Sequence, residues 1–477
     1  MPLIQPFRAL RPAPGRAGEV LAPPYDVLSS AEARERAKGK PWSFLHISKP
    51  EIDLDPAINP YDPAVYSKAA ENLRCMVEAG VMIRDAKPGY YVYRLTWRDR
   101  QQTGLAAVAS LADYESNRIR KHEFTTPLKE DDRVRQTEAV NAQTGPVMIG
   151  YPPAPEIDAI LANATRRPPE VDVTADDGVR HEMWVVSDDD TIARLTRAFD
   201  ALPAVYICDG HHRSAAAARV ATARDGTTHS SQTRHPEVRA WFEARRHPEV
   251  RVERASKDDA GHLTMTGASK GDGPAETVHP SRAASRPPQD DGHDSVALVS
   301  HRYFLAVLFP HHQMTILDYN RLLRDLNGRT PDQLLAELRK NFSVTSSDQP
   351  VRPATSGEFG MCVAGKWYRL TIRPDLVPKN DPIGRLPITL LTQHVIEPLF
   401  GIADQRKDKR IDFVGGARGL GELERRVASG EMAAAFALYP TQMSDLMAVA
   451  DSGGIMPPKS TWFEPKLADG MVTHVLD

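Results

Sequence analysis

Cysteine is scarce in this chain. Its 477 residues include three, Cys75, Cys208 and Cys362, widely spaced and never in a Cys-x-x-Cys pair. That argues against a disulfide framework or a thiolate zinc site and fits a reducing cytoplasm. An excess of one charge is lacking as well: 60 Lys and Arg stand against 63 Asp and Glu, for a formal net charge of −3. Nothing in that balance points to nucleic acid or an anionic membrane as partner. No apolar run reaches the length of a bilayer span. The opening MPLIQPFRALRP has early Pro and Arg where a signal peptide has its apolar core. What remains is an ordinary globular composition, 41% hydrophobic and 26% charged, at a length that suits two or three domains. The expectation is a cytoplasmic protein acting on a small molecule.

The pattern along the chain is α/β. Asp62-Pro63 starts a helix by N-cap and first-turn proline, and Gly80 stops it. YYVYRLTW (90–97) and GLAAVASL (104–111) have strand composition, with a turn-like Asp-Arg-Gln-Gln link between them. Ala204 to Cys208 is a buried-type strand, and Ser214 to Ala221 a strong helix former. Beyond a gap, Tyr303 to Phe309 reads as a buried strand, and Met314 to Asp318 as a second one leading into a helix that Gly328 ends. Thr330-Pro331 opens another helix, Phe359 to Ile372 forms a hairpin turning at Ala364-Gly365, and Thr441 or Ser444 opens a late helix closed by Gly453-Gly454.

The gap is residues 224–295, rich in His, Arg, Ser, Asp, Gly and Pro, with HPEVR at both 235–239 and 247–251. Such a stretch buries too little apolar surface to offset its chain entropy, so disorder is expected. Its six histidines admit a metal-binding reading, but a tolerated insertion is the simpler one. Its wording resembles translated intergenic repeat elements of bacterial genes. Deleting 226–294 and rejoining the ends with a short flexible linker should leave the melting temperature within a few degrees. A much larger drop in differential scanning calorimetry would show that the segment packs on the rest.

The leading candidate for chemistry is YICDGHHR (206–213), where a strand ends, Gly210 permits a tight turn and a helix begins at once. Free N–H groups and the helix dipole at such a start favour an anion. Arg213 adds a bidentate phosphate donor. Asp209 is placed either to cap the helix or to hold a divalent cation carrying phosphates. His211 and His212 diverge as helix neighbours, so joint ligation of one metal is not expected; one can contact phosphate and the other serve acid–base or structural work. The plain alternative is a capped, polar first turn.

Three further segments carry phosphate or acid–base chemistry. In KHEFTTPLKEDDR (121–133), Glu123 can be the base for a hydroxyl, and Lys129 or Arg133 can neutralise phosphate; the alternative is a solvated helix face. In DKRIDFVGG (408–416), Lys409 and Arg410 can reach an anion, although the full Walker pattern is missing and a plain strand and turn reads as well. The rigid Pro457-Pro458-Lys459-Ser460-Thr461 loop delivers Lys459, either to phosphate or as a structural clasp. Pro23-Pro24-Tyr25-Asp26 is an ordered turn first and a substrate loop second.

These stretches, together with PFRALRP (6–12), APPYDV (22–27), WSFLH (42–46), TGPV (144–147), FLAVLFP (304–310), LDYNR (317–321) and MPPKSTWFEPK (456–466), resemble the domain-of-unknown-function 1015 family of bacteria and archaea. The resemblance covers nearly everything outside 224–295. The DGHHR motif alone is similar to the free-serine-kinase branch of the ParB/sulfiredoxin-like fold, where the turn and helix start hold nucleotide phosphates. That similarity implies phosphate and Mg²⁺ roles for Asp209, Gly210, His211, His212 and Arg213 only.

The expected architecture is α/β with mixed sheets: a ParB/sulfiredoxin-like unit within 1–223, the insertion 224–295, and a C-terminal α+β part over 296–477. The expected activity is Mg²⁺-dependent phosphoryl transfer from a nucleotide or pyrophosphate to a small hydroxylated metabolite, with free L-serine the leading acceptor. The alternatives are a ParB-like nucleotide switch and a phosphatase acting on the same phosphoester.

Overall fold

The apolar cores of Tyr90–Trp97, Arg100–Ser110 and Tyr303–Pro310 run nearly unbroken because both faces of their sheet are covered. Alternate residues point to opposite sides. Tyr91, Tyr93, Ala106, Val108, Leu305, Val307 and Phe309 pack on one face, with Met314, Ile316, Met443 and Phe463. Tyr90, Val92, Leu105, Ala107, Phe304, Ala306 and Leu308 pack on the other, against Ile157 and Ile160, Leu195 and Phe199, and Ala217 and Ala221 of three helices. The computed structural model describes residues 1–226 and 299–477.

Those strands belong to a nine-stranded mixed sheet. Its order is Ile119–Arg120, Val205–Asp209, Val147–Tyr151, Tyr303–Pro310, Arg100–Ser110, Tyr90–Trp97, Arg180–Val186 and Val171–Thr174, with Ile4–Gln5 pairing beside Arg100–Ser110. Tyr303–Pro310 is parallel to Val147–Tyr151 and antiparallel to Arg100–Ser110. Gly104 is required at that crossing, since a Cβ there would lie 2.5 Å from the Leu308 carbonyl oxygen and 2.6 Å from the Phe309 ring. The second large sheet is six-stranded and antiparallel, in the order Phe342–Ser347, Lys366–Ile372, Glu358–Val363, Ala434–Leu438, Tyr319–Leu323 and Ile411–Gly415. Smaller sheets tie the ends of the chain together: Thr473–Val475 pairs with both Ala9–Pro12 and Ala142–Gln143.

The mixed α/β class and most elements match the sequence pattern. Asp62 caps the Pro63–Glu78 helix, Thr330 and Gln333 form a capping box for Pro331–Leu338, and the hairpin turns at Ala364-Gly365. Two readings need correction. The helix expected between Asp318 and Gly328 is the strand Tyr319–Leu323, whose five residues are all buried in the second sheet, and a short buried run carries no period to tell the two apart. The late helix, Met443–Asp451, is capped by Gln442, not Thr441 or Ser444.

Of the expected insertion, 224–226 finish the His211–Arg224 helix and its turn, and 227–295 lie outside the described residues. The flanks 1–226 and 299–477 form one compact unit. The stretch 1–223 does not complete its main sheet without Tyr303–Pro310. The break at 224 is thus one of chain and not of fold.

Candidate functional site

The Val205–Asp209 strand runs between Ile119–Arg120 and Val147–Tyr151, with a bulge between Ile207 and Asp209 that shifts its register on Val147–Tyr151. Gly210 takes the left-handed conformation (φ +96°), and a Cβ there would come within 3.2 Å of the Val147 Cα. The helix His211–Arg224 follows directly, and no side chain caps it. Asp209 is therefore not the cap that the sequence allowed for. Its Oδ1 accepts from the Gly210 N–H at 3.0 Å, and its Oδ2 lies 3.2 Å from Lys466 Nζ and 3.9 Å from Arg213 Nη2. Burial alone would raise the Asp209 carboxyl, but Lys466 and Arg213 outweigh it and hold the group down at about 2.

The histidines separate into two roles. His212 faces the neighbouring helix start: its Nε2 accepts from the Thr126 N–H at 3.1 Å, just ahead of Pro127–Val140. It gives the N-cap N–H of that helix a partner, while the Thr126 side chain itself caps nothing. His211 points inward, 4% exposed, and meets His122 edge-on with ring centroids 4.5 Å apart. His211 Nδ1 lies 3.8 Å from Glu123 Oε2. Burial depresses all three histidines, with His122 and His212 down at about 4, so each imidazole is neutral at physiological pH. One ligand atom from each of His122, Glu123 and His211 lies within 4.8 Å of the other two.

Glu123 keeps about half its side chain open, at 47% exposure. Partial burial and the Asp209 charge push its carboxyl up, while Lys459, Lys129 and Lys466 pull against that shift. Glu123 thus lies within the electrostatic reach of Asp209, Lys129, Lys459 and Lys466. Arg133 is locked instead, with Nη2 2.6 Å from Asp132 and its guanidinium 3.9 Å above the Tyr25 ring. Lys409 and Arg410 stand apart. They precede Ile411–Gly415, whose far end packs on Trp462, and Arg410 is held by Asp408 (2.7 Å) and the Phe400 carbonyl (3.0 Å). A strand of that length carries them roughly 15–20 Å from its other end.

A family model described as "Protein of unknown function (DUF1015)" matches residues 4–253 and 281–390. The chain belongs to that family. No curated protein matches it. Solved structures similar to this DUF1015 chain include a free serine kinase in complex with AMP, at 10% identity over 73% of this chain and 84% of that one, with a TM-score of 0.31. A conserved hypothetical protein from Pyrococcus furiosus matches at 10% identity over 74% and 90%, TM-score 0.30. SbnI with a C-terminal truncation, from Staphylococcus aureus, matches at 10% over 77% and 86%, TM-score 0.33. Scores this low transfer neither a site nor an activity.

Within the DUF1015 fold, sequence reasoning missed two further residues that the C-terminal segment contributes beside Lys459. Lys466 pairs with Asp209, and Asp469 sits fully buried in a small cavity with Tyr25, Arg133, Gly145 and Arg213. Burial pushes the Asp469 carboxyl up to about 7, with Arg213 and Arg133 only partly offsetting it. The segment that carries both pairs back onto the N-terminal part through Asp469 and Ala22, whose backbones exchange hydrogen bonds of 2.9 and 3.1 Å. The one available signal was the MPPKSTWFEPK stretch, which ends on Lys466.

Proposed function

We propose that the turn at Asp209–Arg213 binds the phosphates of a nucleotide or of pyrophosphate, and that the chain transfers a phosphoryl group to a small hydroxylated metabolite, free L-serine in the first instance. The observation that carries this reading is the meeting of cations and a raised carboxyl around one helix start. Lys466 and Arg213 flank Asp209, while Lys129 and Lys459 act on Glu123. Cations so arranged stabilise the charge of a transferring phosphoryl group, and the helix start adds its own positive end. Glu123 has the solvent access and the raised proton affinity of a general base for a hydroxyl. Asp209 holds Lys466 and Arg213 in place. His211 and His212 act through position, because burial keeps both neutral.

Mg²⁺ is the customary companion of nucleotide phosphates. Asp209 already accepts from the Gly210 N–H and pairs with Lys466 Nζ, so it is read as holding those groups and no step is assigned to the ion.

The test is phosphorus NMR of the purified protein with serine, Mg²⁺ and ATP, ADP or pyrophosphate in turn. O-phosphoserine is expected from at least one donor, or phosphate release from added O-phosphoserine in the reverse direction. A folded sample that neither forms nor consumes a phosphoester overturns the assignment; nucleotide retained without turnover points to a switch.

A further inference from the structure

We infer that His122, Glu123 and His211 form a binding site for a divalent transition-metal ion of the Zn²⁺ class, distinct from any Mg²⁺ that accompanies phosphates. The first observation is the cluster itself, with two imidazoles and one carboxylate whose ligand atoms lie within 4.8 Å of one another. The second is independent of it. His211 Nε2 has no hydrogen-bond partner among the described residues although His211 is 4% exposed, while the ring of His122, 1% exposed, is met by the Ile207 backbone. Buried ring nitrogens left without a partner are rare in folded proteins, and an unassigned ion is one of the recognised reasons for them.

The chemistry of the donors selects the ion. Imidazole suits Zn²⁺, Fe²⁺, Ni²⁺ and Cu²⁺, whereas Mg²⁺ prefers oxygen. Two histidines and a glutamate, with a further position open, make the ligand set of a catalytic zinc centre. Burial keeps both imidazoles in the neutral form that ligates.

The ligands are held from two directions. The His122 carbonyl accepts from the Met456 N–H at 2.8 Å, and His211 lies in the first turn of a fourteen-residue helix. Zn–N and Zn–O bonds of about 2.1 Å put tetrahedral ligand atoms roughly 3.4 Å apart. The cluster must close by up to about 1.4 Å, to which the half-open Glu123 side chain can contribute. Lys121, the basic neighbour next to His122, is turned away: its Nζ donates to the Tyr114 carbonyl at 3.3 Å and lies 4.0 Å above the Tyr114 ring centroid.

The test uses the full chain after chelator treatment, titrated with Zn²⁺ by calorimetry and with Co²⁺ by visible absorption, without nucleotide or serine. One tight equivalent is expected, with the strong d–d bands of low-coordinate Co²⁺. Glu123→Gln, at a half-exposed position that tolerates the change, should weaken binding at least tenfold. His122→Ala combined with His211→Ala should abolish it, and the surface change His312→Ala should leave it unchanged. No tight equivalent overturns the proposal. So does binding that survives the double change, which would place the ion elsewhere in the chain. Because the readout is metal alone, failure here leaves the phosphotransfer reading intact, and failure of phosphotransfer leaves this one intact. Glu123 cannot ligate the ion and act as the free base at once, so a bound ion should inhibit phosphotransfer.

Discussion

Glu123→Gln is expected to lower turnover of phosphoester by a factor on the order of 10² to 10⁴ while nucleotide affinity changes by less than about threefold. The amide has nearly the shape of the carboxyl but cannot accept a proton from a hydroxyl. Glu123 is half-exposed and engages His211 only at 3.8 Å, so folding should be indifferent to the change. Its charge opposes rather than attracts phosphate, which is why binding should survive the loss or tighten slightly. The measurement is single-turnover kinetics beside nucleotide titration calorimetry. Equal fractional losses in binding and rate would remove Glu123 from the chemistry and leave it a part of the pocket wall.

Asp469→Asn is expected to stabilise the protein at alkaline pH and to leave it nearly unchanged at acid pH. The sign follows from proton binding. Asp469 is 3% exposed, and burial raises its folded-state value to about 7 against an ordinary value of 3.8. Between those limits the folded form holds a proton that the unfolded chain has released, so wild-type stability falls as pH rises through this window. Above it the loss is complete. The span corresponds to roughly 4 kcal/mol as an upper figure. The amide cannot ionise, so the difference in melting temperature between variant and wild type should grow from pH 4 to pH 7 and then level off. Taking the difference removes the opposite slope set by the buried, neutral His122, His181, His211 and His474. A difference independent of pH would show that Arg213 and Arg133 keep Asp469 ionised throughout.

Local signals carried far in this sequence. Asp62-Pro63, Thr330-Pro331 and Ala364-Gly365 each contain the cap or turn chemistry that builds their element, so each was legible from a few residues. The DGHHR turn was legible for the same reason. Tyr319–Leu323 was not, because burial on both faces erases the alternation that marks a strand. The site itself was half legible. Asp209, Glu123, Lys129 and Lys459 come together, but nothing local says that Lys466 crosses to Asp209 from 257 residues away or that His122 lies edge-on to His211. Arg133 and Arg410 show the converse: a basic residue in a dense run looks available until a neighbouring carboxylate, Asp132 or Asp408, is seen to hold it.

The position of Tyr303–Pro310 also sets an order of events during synthesis. Val147–Tyr151 and Arg100–Ser110 leave the ribosome with nothing to pair between them, and both edges stay raw until the chain has passed residue 310. Unpaired edges of apolar strands are where nascent chains stick to one another. The chain between residues 226 and 299 must be made before that strand appears, so it lengthens the wait. The burden of sequence at this point therefore falls on the time during which a half-built sheet must be kept from aggregating.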